Sequence, residues 1–236
     1  MRQVLLTGAL VLAACESPEN KVLTVSTEEY GGILFGDPAL SDSSVNGLSC
    51  ADCHATDRLD ERILPGASMF GVTKRISYWG GSETDLLRSI NHCRYYFMSA
   101  SEPWEGDEEE AIAIYAYLAT IPGKYKSEPF ILGEVEDPGA GDPARGSVVY
   151  AQACASCHGQ KSTGQFALVP YADVLPDDTL AAHPSPEYTD ADRRLVFVEK
   201  TRSGAFRGYG GTMPPFSVNV LPDKDLAALL TYLEVP

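Results

Sequence analysis

Two stretches of the chain, Cys50-Ala51-Asp52-Cys53-His54 and Cys154-Ala155-Ser156-Cys157-His158, follow one pattern, C-x-x-C-H. That pattern is the signature of covalent attachment of a c-type haem. The two thiols add to the vinyl groups of one porphyrin, and a two-residue spacer on a helical turn lets both reach the same edge. The histidine that follows offers an imidazole nitrogen to the iron as the proximal ligand. A zinc site would need the two Cys pairs to converge, yet each pair already carries its own histidine. A redox dithiol does not explain the histidines at all. Two haem c groups are therefore expected, held by Cys50, Cys53 and His54 and by Cys154, Cys157 and His158.

Each iron then needs a sixth ligand or an open site. A methionine thioether raises the potential and closes the iron for electron transfer. After removal of Met1 with the leader described below, three methionines remain: Met69, Met98 and Met213. Met213 follows His158 by 55 residues and sits in Met213-Pro214-Pro215-Phe216, where the prolines stiffen its loop; it is assigned to the second haem. The residues alone leave the first haem open among Cys93, Met98, His92 and Met69. An unpaired cysteine is commonly a small buried hydrophobe, and methionines commonly fill gaps in cores. His183, in His183-Pro184-Ser185-Pro186, reads as a solvated loop residue.

The elements that must position these groups are helical. Residues 31–35 read as an opening helix ended by Asp37-Pro38. Residues 83–97 carry Leu86, Leu87, Ile90 and Arg94 at helical spacing. Asp107 and three glutamates suit the start of a helix running to Thr120, and Pro122-Gly123 stops it. In the second half Val148, Val149 and Tyr150 precede the motif, and Leu226, Leu229, Leu230 and Leu233 form the stripe of a closing helix from about Asp223. The closing helices end alike, Ala116-Tyr117-Leu118 against Thr231-Tyr232-Leu233. Each half thus repeats one plan. The expected architecture is mainly α, with two tandem domains over residues 30–123 and 144–236 and a Pro-, Gly- and acid-rich linker over 124–143.

Residues 1–15 read as a leader rather than structure. Arg2 supplies the basic start, and the apolar run from Val4 to Ala14 is too short to span a bilayer. Leu12-Ala13-Ala14-Cys15 resembles the bacterial lipobox, which makes Cys15 the lipid attachment site; acyl chains would tether a soluble body to a membrane surface. Residues 16–29 are the flexible tether. Of six cysteines, four hold haem and Cys15 takes lipid, which leaves Cys93. Export to the bacterial periplasm or cell envelope suits the haem attachment. The formal charge of −15 and pI near 4.6 argue against nucleic acid and suit basic redox protein partners.

The second half resembles class I cytochromes c on Gly146-x-x-Val149-Tyr150-x-x-x-Cys154-x-x-Cys157-His158-Gly159 and on Met213-Pro214-Pro215-Phe216, which is similar to their methionine-ligand loop. That resemblance gives both expected domains the class I cytochrome c-like fold. In the first half, residues 32–41 ahead of Ser49-Cys50-Ala51-Asp52-Cys53-His54 resemble the start of bacterial dihaem cytochrome c peroxidases. Tyr78-Trp79-Gly80-Gly81 is similar to their aromatic-Trp-Asp-Gly stretch, with Gly80 in place of the acid. The chain is short for that family and has no histidine between His54 and Met69 to match its distal-loop ligand. Ser89-Ile90-Asn91-His92-Cys93, followed by Met98, resembles the cysteine-ligand segment of dihaem thiosulfate dehydrogenases. That resemblance favours Cys93 as sixth ligand of the first haem, with Met98 as the alternative. The reading is a lipid-anchored dihaem electron carrier. Its enzyme alternative is a thiosulfate dehydrogenase or peroxidase with chemistry at the first haem, where Lys74, Arg75, Arg88 and Arg94 are available to an anion. A haem-based sensor would need an open sixth position there.

Overall fold

The computed structural model describes residues 25–57, 59–124, 129–204 and 211–236. Cys15 and the leader lie outside the described residues, as does most of the expected tether. No β-strand occurs among the described residues; one isolated bridge joins Tyr78 to Glu83. The architecture is mainly α.

The first helix, α1 (Thr27–Phe35), starts earlier than its apolar run because Ser26 and Glu29 form a capping box: the Ser26 side chain accepts from Glu29 N–H, and Glu29 from Ser26 N–H. Such a cap is worth about 1 kcal/mol, so Thr27, Glu28 and Glu29 belong to the helix and not to the acidic tether. The first haem motif forms the short α2 (Cys50–Cys53). Then come α3 (Leu86–Met98), capped by Asp85, and α4 (Glu109–Thr120). In the second half α5 (Pro143–Val149) widens through Tyr150–Cys154 into α6 (Ala155–His158), which carries the second motif. The chain closes with α7 (Asp177–Ala182), α8 (Asp190–Ser203) and α9 (Asp223–Tyr232).

The repeated plan is visible in the packing. The two most extensive helix pairs are α1 on α4 and α5 on α9, and each crosses at a glycine. A Cβ on Gly31 would lie 1.9 Å from the Ala113 carbonyl oxygen, and one on Gly146 would lie 2.0 Å from that of Ala228. Four residues on from each glycine an aromatic meets the tyrosine of the closing helix. Phe35 packs on Tyr117 with centroids 5.3 Å apart, and Tyr150 on Tyr232 at 5.6 Å. The similar tripeptides at the closing helix ends therefore mark one crossing built twice.

The expected linker has no regular secondary structure over residues 129–142, yet it is pinned to the second half. Arg194 donates to Asp137 (2.8 and 2.9 Å) and to the Gly139 carbonyl (2.7 Å). Val218 N–H reaches the Ile131 carbonyl, and Gly141 N–H the Thr231 hydroxyl. On its other side Phe130 stands edge-on to Trp79 at 6.1 Å. The halves also interlock directly, since Ile63 packs into the core formed by α5, α8 and α9.

Candidate functional site

Each motif faces its own apolar cavity. The first, of about 180 Å³, is lined by Cys50, Cys53 and His54, and by Cys93, Met69 and Met98 from the ligand candidates. The second, of about 280 Å³, is lined by Cys154, Cys157, His158 and Met213. Every sequence-selected residue of the second site is thus brought to one cavity. At the first, all candidates converge except His92, which is exposed and stacks against Tyr96 with centroids 6.2 Å apart. His183 lies in the loop after α7, as expected, but is not fully solvated. Its ring is half-buried, packs edge-on to Tyr188 at 4.9 Å and bonds the Thr179 carbonyl, away from both cavities.

Both motif histidines are set in one tautomer. His54 Nδ1 lies 2.7 Å from the Ala67 carbonyl, and His158 Nδ1 lies 2.8 Å from the Asp173 carbonyl. A carbonyl only accepts, so Nδ1 carries the proton and Nε2 keeps its lone pair for a metal. Burial lowers the pKa of both rings, which keeps them neutral. Gly66 makes room for the first ring, because a Cβ there would lie 2.3 Å from His54 Cε1. Two cysteines, a neutral histidine with a free Nε2 and an apolar cavity fit a covalently bound haem at each site. Among the described residues there are no disulfides and no cluster of ligands fit for a bare metal ion.

The sixth-position candidates are held differently. Met213 enters on a loop that rests on Gly204, where a Cβ would meet the Met213 carbonyl oxygen at 2.4 Å. Gly204 has φ +52°, so it suits a glycine on both counts. Buried Arg202 ties the far end of that loop down, donating to the Phe216 and Leu221 carbonyls and pairing with Asp223. Cys93 and Met98 lie on α3. Burial pushes Cys93 up to about 11, and burial together with the nearby Cys93 pushes Cys50 to about 12. Cys93 lines the same cavity as the attachment cysteines Cys50 and Cys53.

Of the four cations available to an anion near the first site, only two line it. Arg94 is buried, stacks at 3.9 Å over Trp104 and donates to the Leu40 and Glu102 carbonyls. Arg75 donates to the Ser68 and Phe70 carbonyls. Lys74 is exposed beside the Gly123 carbonyl, and exposed Arg88 pairs with Glu83. No carboxylate lines the first cavity among the described residues.

The cavities share a wall. Cys53, Pro65 and Pro214 line both. Pro215, Ser217 and Val220 of the second half also close the first cavity, and Leu48 and Asp52 of the first half close the second. Cys53 is raised by burial and also by the charges of Cys93 and Cys157, the latter from the other motif. Sequence reasoning missed this wall, and it missed Gly66, Ala67, Asp173 and Lys200. One available signal was Thr189-x-x-Asp192, the capping box that starts α8 and so brings Lys200 to the second cavity.

Residues 141–233 match the family model described as "Cytochrome C oxidase, cbb3-type, subunit III". A thiosulfate dehydrogenase of Stutzerimonas stutzeri (strain A1501) is 23% identical over 159 residues, which cover 63% of this chain and 47% of that protein. Among solved structures, the "as isolated" form of a thiosulfate dehydrogenase (TsdBA) from Marichromatium purpuratum aligns with a TM-score of 0.43 and 18% identity. That alignment covers 94% of this chain and 49% of that one. The chain spans about half the length of these relatives. The matched second half is thus a cytochrome c-type domain whose motif geometry fits a covalent haem, and the chain is similar to the thiosulfate dehydrogenases.

Proposed function

We propose that the protein is a dihaem electron carrier, exported and tethered at the cell envelope through an acylated Cys15, that passes electrons between redox protein partners. Residues 30–123 and 144–236 act as two class I cytochrome c-like units joined by 124–143. Haem c, when bound at Cys50, Cys53 and His54 and at Cys154, Cys157 and His158, supplies a one-electron iron couple at each site. The observation that carries this reading is the shared wall: Cys53, Pro65 and Pro214 belong to both cavities, so the two cofactors would be neighbours in one chain. The formal charge of −15 steers basic partners. Met213, on a loop held by Gly204 and Arg202, completes the second site. Met213→Ala should abolish the weak His/Met absorption at about 700 nm and lower the potential of one haem. A band that survives the substitution would move the assignment to Met98 or Met69.

A second reading, thiosulfate oxidation at the first site, is favoured by one arrangement. Cys93 shares that cavity with Arg75 and Arg94, and no carboxylate lines it among the described residues. In this reading Cys93 is the sixth ligand, a thiolate that favours ferric iron, while the arginines offer positive charge to a small anion. Low-spin thiolate resonances in low-temperature electron paramagnetic resonance should vanish in Cys93→Ala, and thiosulfate should reduce the wild-type visible bands. An unchanged ferric spectrum in the variant would leave Cys93 as packing and make Met98 the ligand.

A further inference from the structure

The two cavity histidines are oriented alike but sit in different fields. At the first site the accepting carbonyl belongs to Ala67, an uncharged residue. At the second it belongs to Asp173, whose carboxylate is itself fixed. One carboxylate oxygen, Oδ2, accepts from the Thr179 hydroxyl at 3.0 Å and from the Lys200 ammonium at 3.0 Å. Thr179 is buried, with 1% exposure, and it sits on α7, so the carboxylate is anchored from one side by a rigid donor. Lys200 comes from α8, one residue before Thr201, whose carbonyl takes the Phe216 N–H of the methionine loop. Asp173, Thr179 and Lys200 all line the second cavity, and none lines the first.

Burial raises the Asp173 carboxyl, but the hydrogen bond and charge of Lys200, with Thr179, outweigh it and hold the group below its ordinary value. A fixed anion and a fixed cation therefore stand on the wall beside His158. Their effects on that ring oppose one another. A carbonyl borne by an anionic residue polarises the Nδ1–H bond and makes the imidazole a stronger donor, which favours the oxidised metal. The ammonium acts in the other direction.

We propose that Asp173 and Lys200 are positioning residues that set the potential of the second haem. Asp173 orients and polarises His158, and Lys200 offsets its charge. This rests on His158 being the proximal ligand there. The consequence is a pair of opposite signs. Replacing the anion should raise the potential, and replacing the cation should lower it.

The test is potentiometric titration of the mature holoprotein, fitted as two Nernstian components. In Asp173→Asn, which keeps an oxygen for Thr179, one component should shift upward and the other stay. In Lys200→Gln the same component should shift downward, and Lys200→Arg should restore it. The double variant should return toward wild type. If Asp173→Asn does not fold, the contrast of Lys200→Gln with Lys200→Arg carries the test. Shifts of the same sign, or no shift in either variant, would overturn the proposal. So would a Lys200→Gln shift with none in Asp173→Asn, which would assign Lys200 to a carboxylate of the cofactor. A wild-type protein that titrates as a single component with one haem would instead refute the two-site reading on which the proposal depends.

Discussion

Cys154→Ser with Cys157→Ser should yield a protein carrying one covalent haem where the wild type carries two. Each thiol adds across a vinyl double bond, its hydrogen passing to the vinyl carbon, so attachment needs the sulfur itself and serine cannot replace it. Cys154 and Cys157 line only the second cavity, with His158, whereas Cys50, Cys53 and His54 all line the first, so the double substitution removes both thiols of one site and leaves the other pair in place. A pyridine haemochrome assay and the intact mass of the mature protein read the stoichiometry directly. Cys15→Ser is the matching control, expected to keep both haems and to lack the acyl chains, leaving a precursor or a soluble form. One haem per wild-type chain would end the dihaem proposal, and a wild-type mass without acyl chains would end the lipid anchor.

Gly31→Val and Gly146→Val should each destabilise the fold by about 3 kcal/mol or more. At both positions the new Cβ would sit within 2.0 Å of a carbonyl oxygen on the facing helix, with the tyrosine Cβ close behind at 2.7 and 2.6 Å. Backbone cannot rotate away as a side chain can, so the helices must separate. Separation would undo the Phe35–Tyr117 or Tyr150–Tyr232 packing and loosen the wall behind the motif. Gly32→Ala is the comparison. Its Cβ would meet only the Tyr117 ring, at 3.3 Å, and the gain in helix propensity of about 1 kcal/mol offsets the crowding. Urea unfolding of the three variants measures this. Losses below about 1 kcal/mol at Gly31 and Gly146 would show that the crossings are not constrained.

The attachment motifs were legible in the sequence because their chemistry is local: two cysteines and a histidine on one turn need no distant residue to be recognised. Periodicity placed α3, α4 and α9 well for the same reason, since their stripes repeat within a few turns. The start of α1 was shifted because Ser26 and Glu29, polar residues outside the apolar run, decide it. Helix α8 was missed because its hydrophobic pattern is weak and its stabilisation comes from the Thr189 box and from buried Arg202. Converging side chains were the least legible. Nothing in the order of residues says that Cys93 shares a cavity with Cys50, that His92 turns outward, or that the Asp173 carbonyl accepts the Nδ1–H of His158. Those are facts of tertiary packing.

The wall common to both cavities limits how the protein can be altered. A change at Pro214, or at Cys53 or Pro65, is felt on two sides at once, so a variant made there to adjust one cavity will disturb the other. The first 100 or so residues cannot be lifted out as a self-sufficient module either, because Pro215, Ser217 and Val220 close their cavity. A builder who wants to retune one centre independently must work on the outer walls. For the second cavity that means Asp173, Thr179 and Lys200; for the first it means the turn of Gly66 and Ala67 beneath His54.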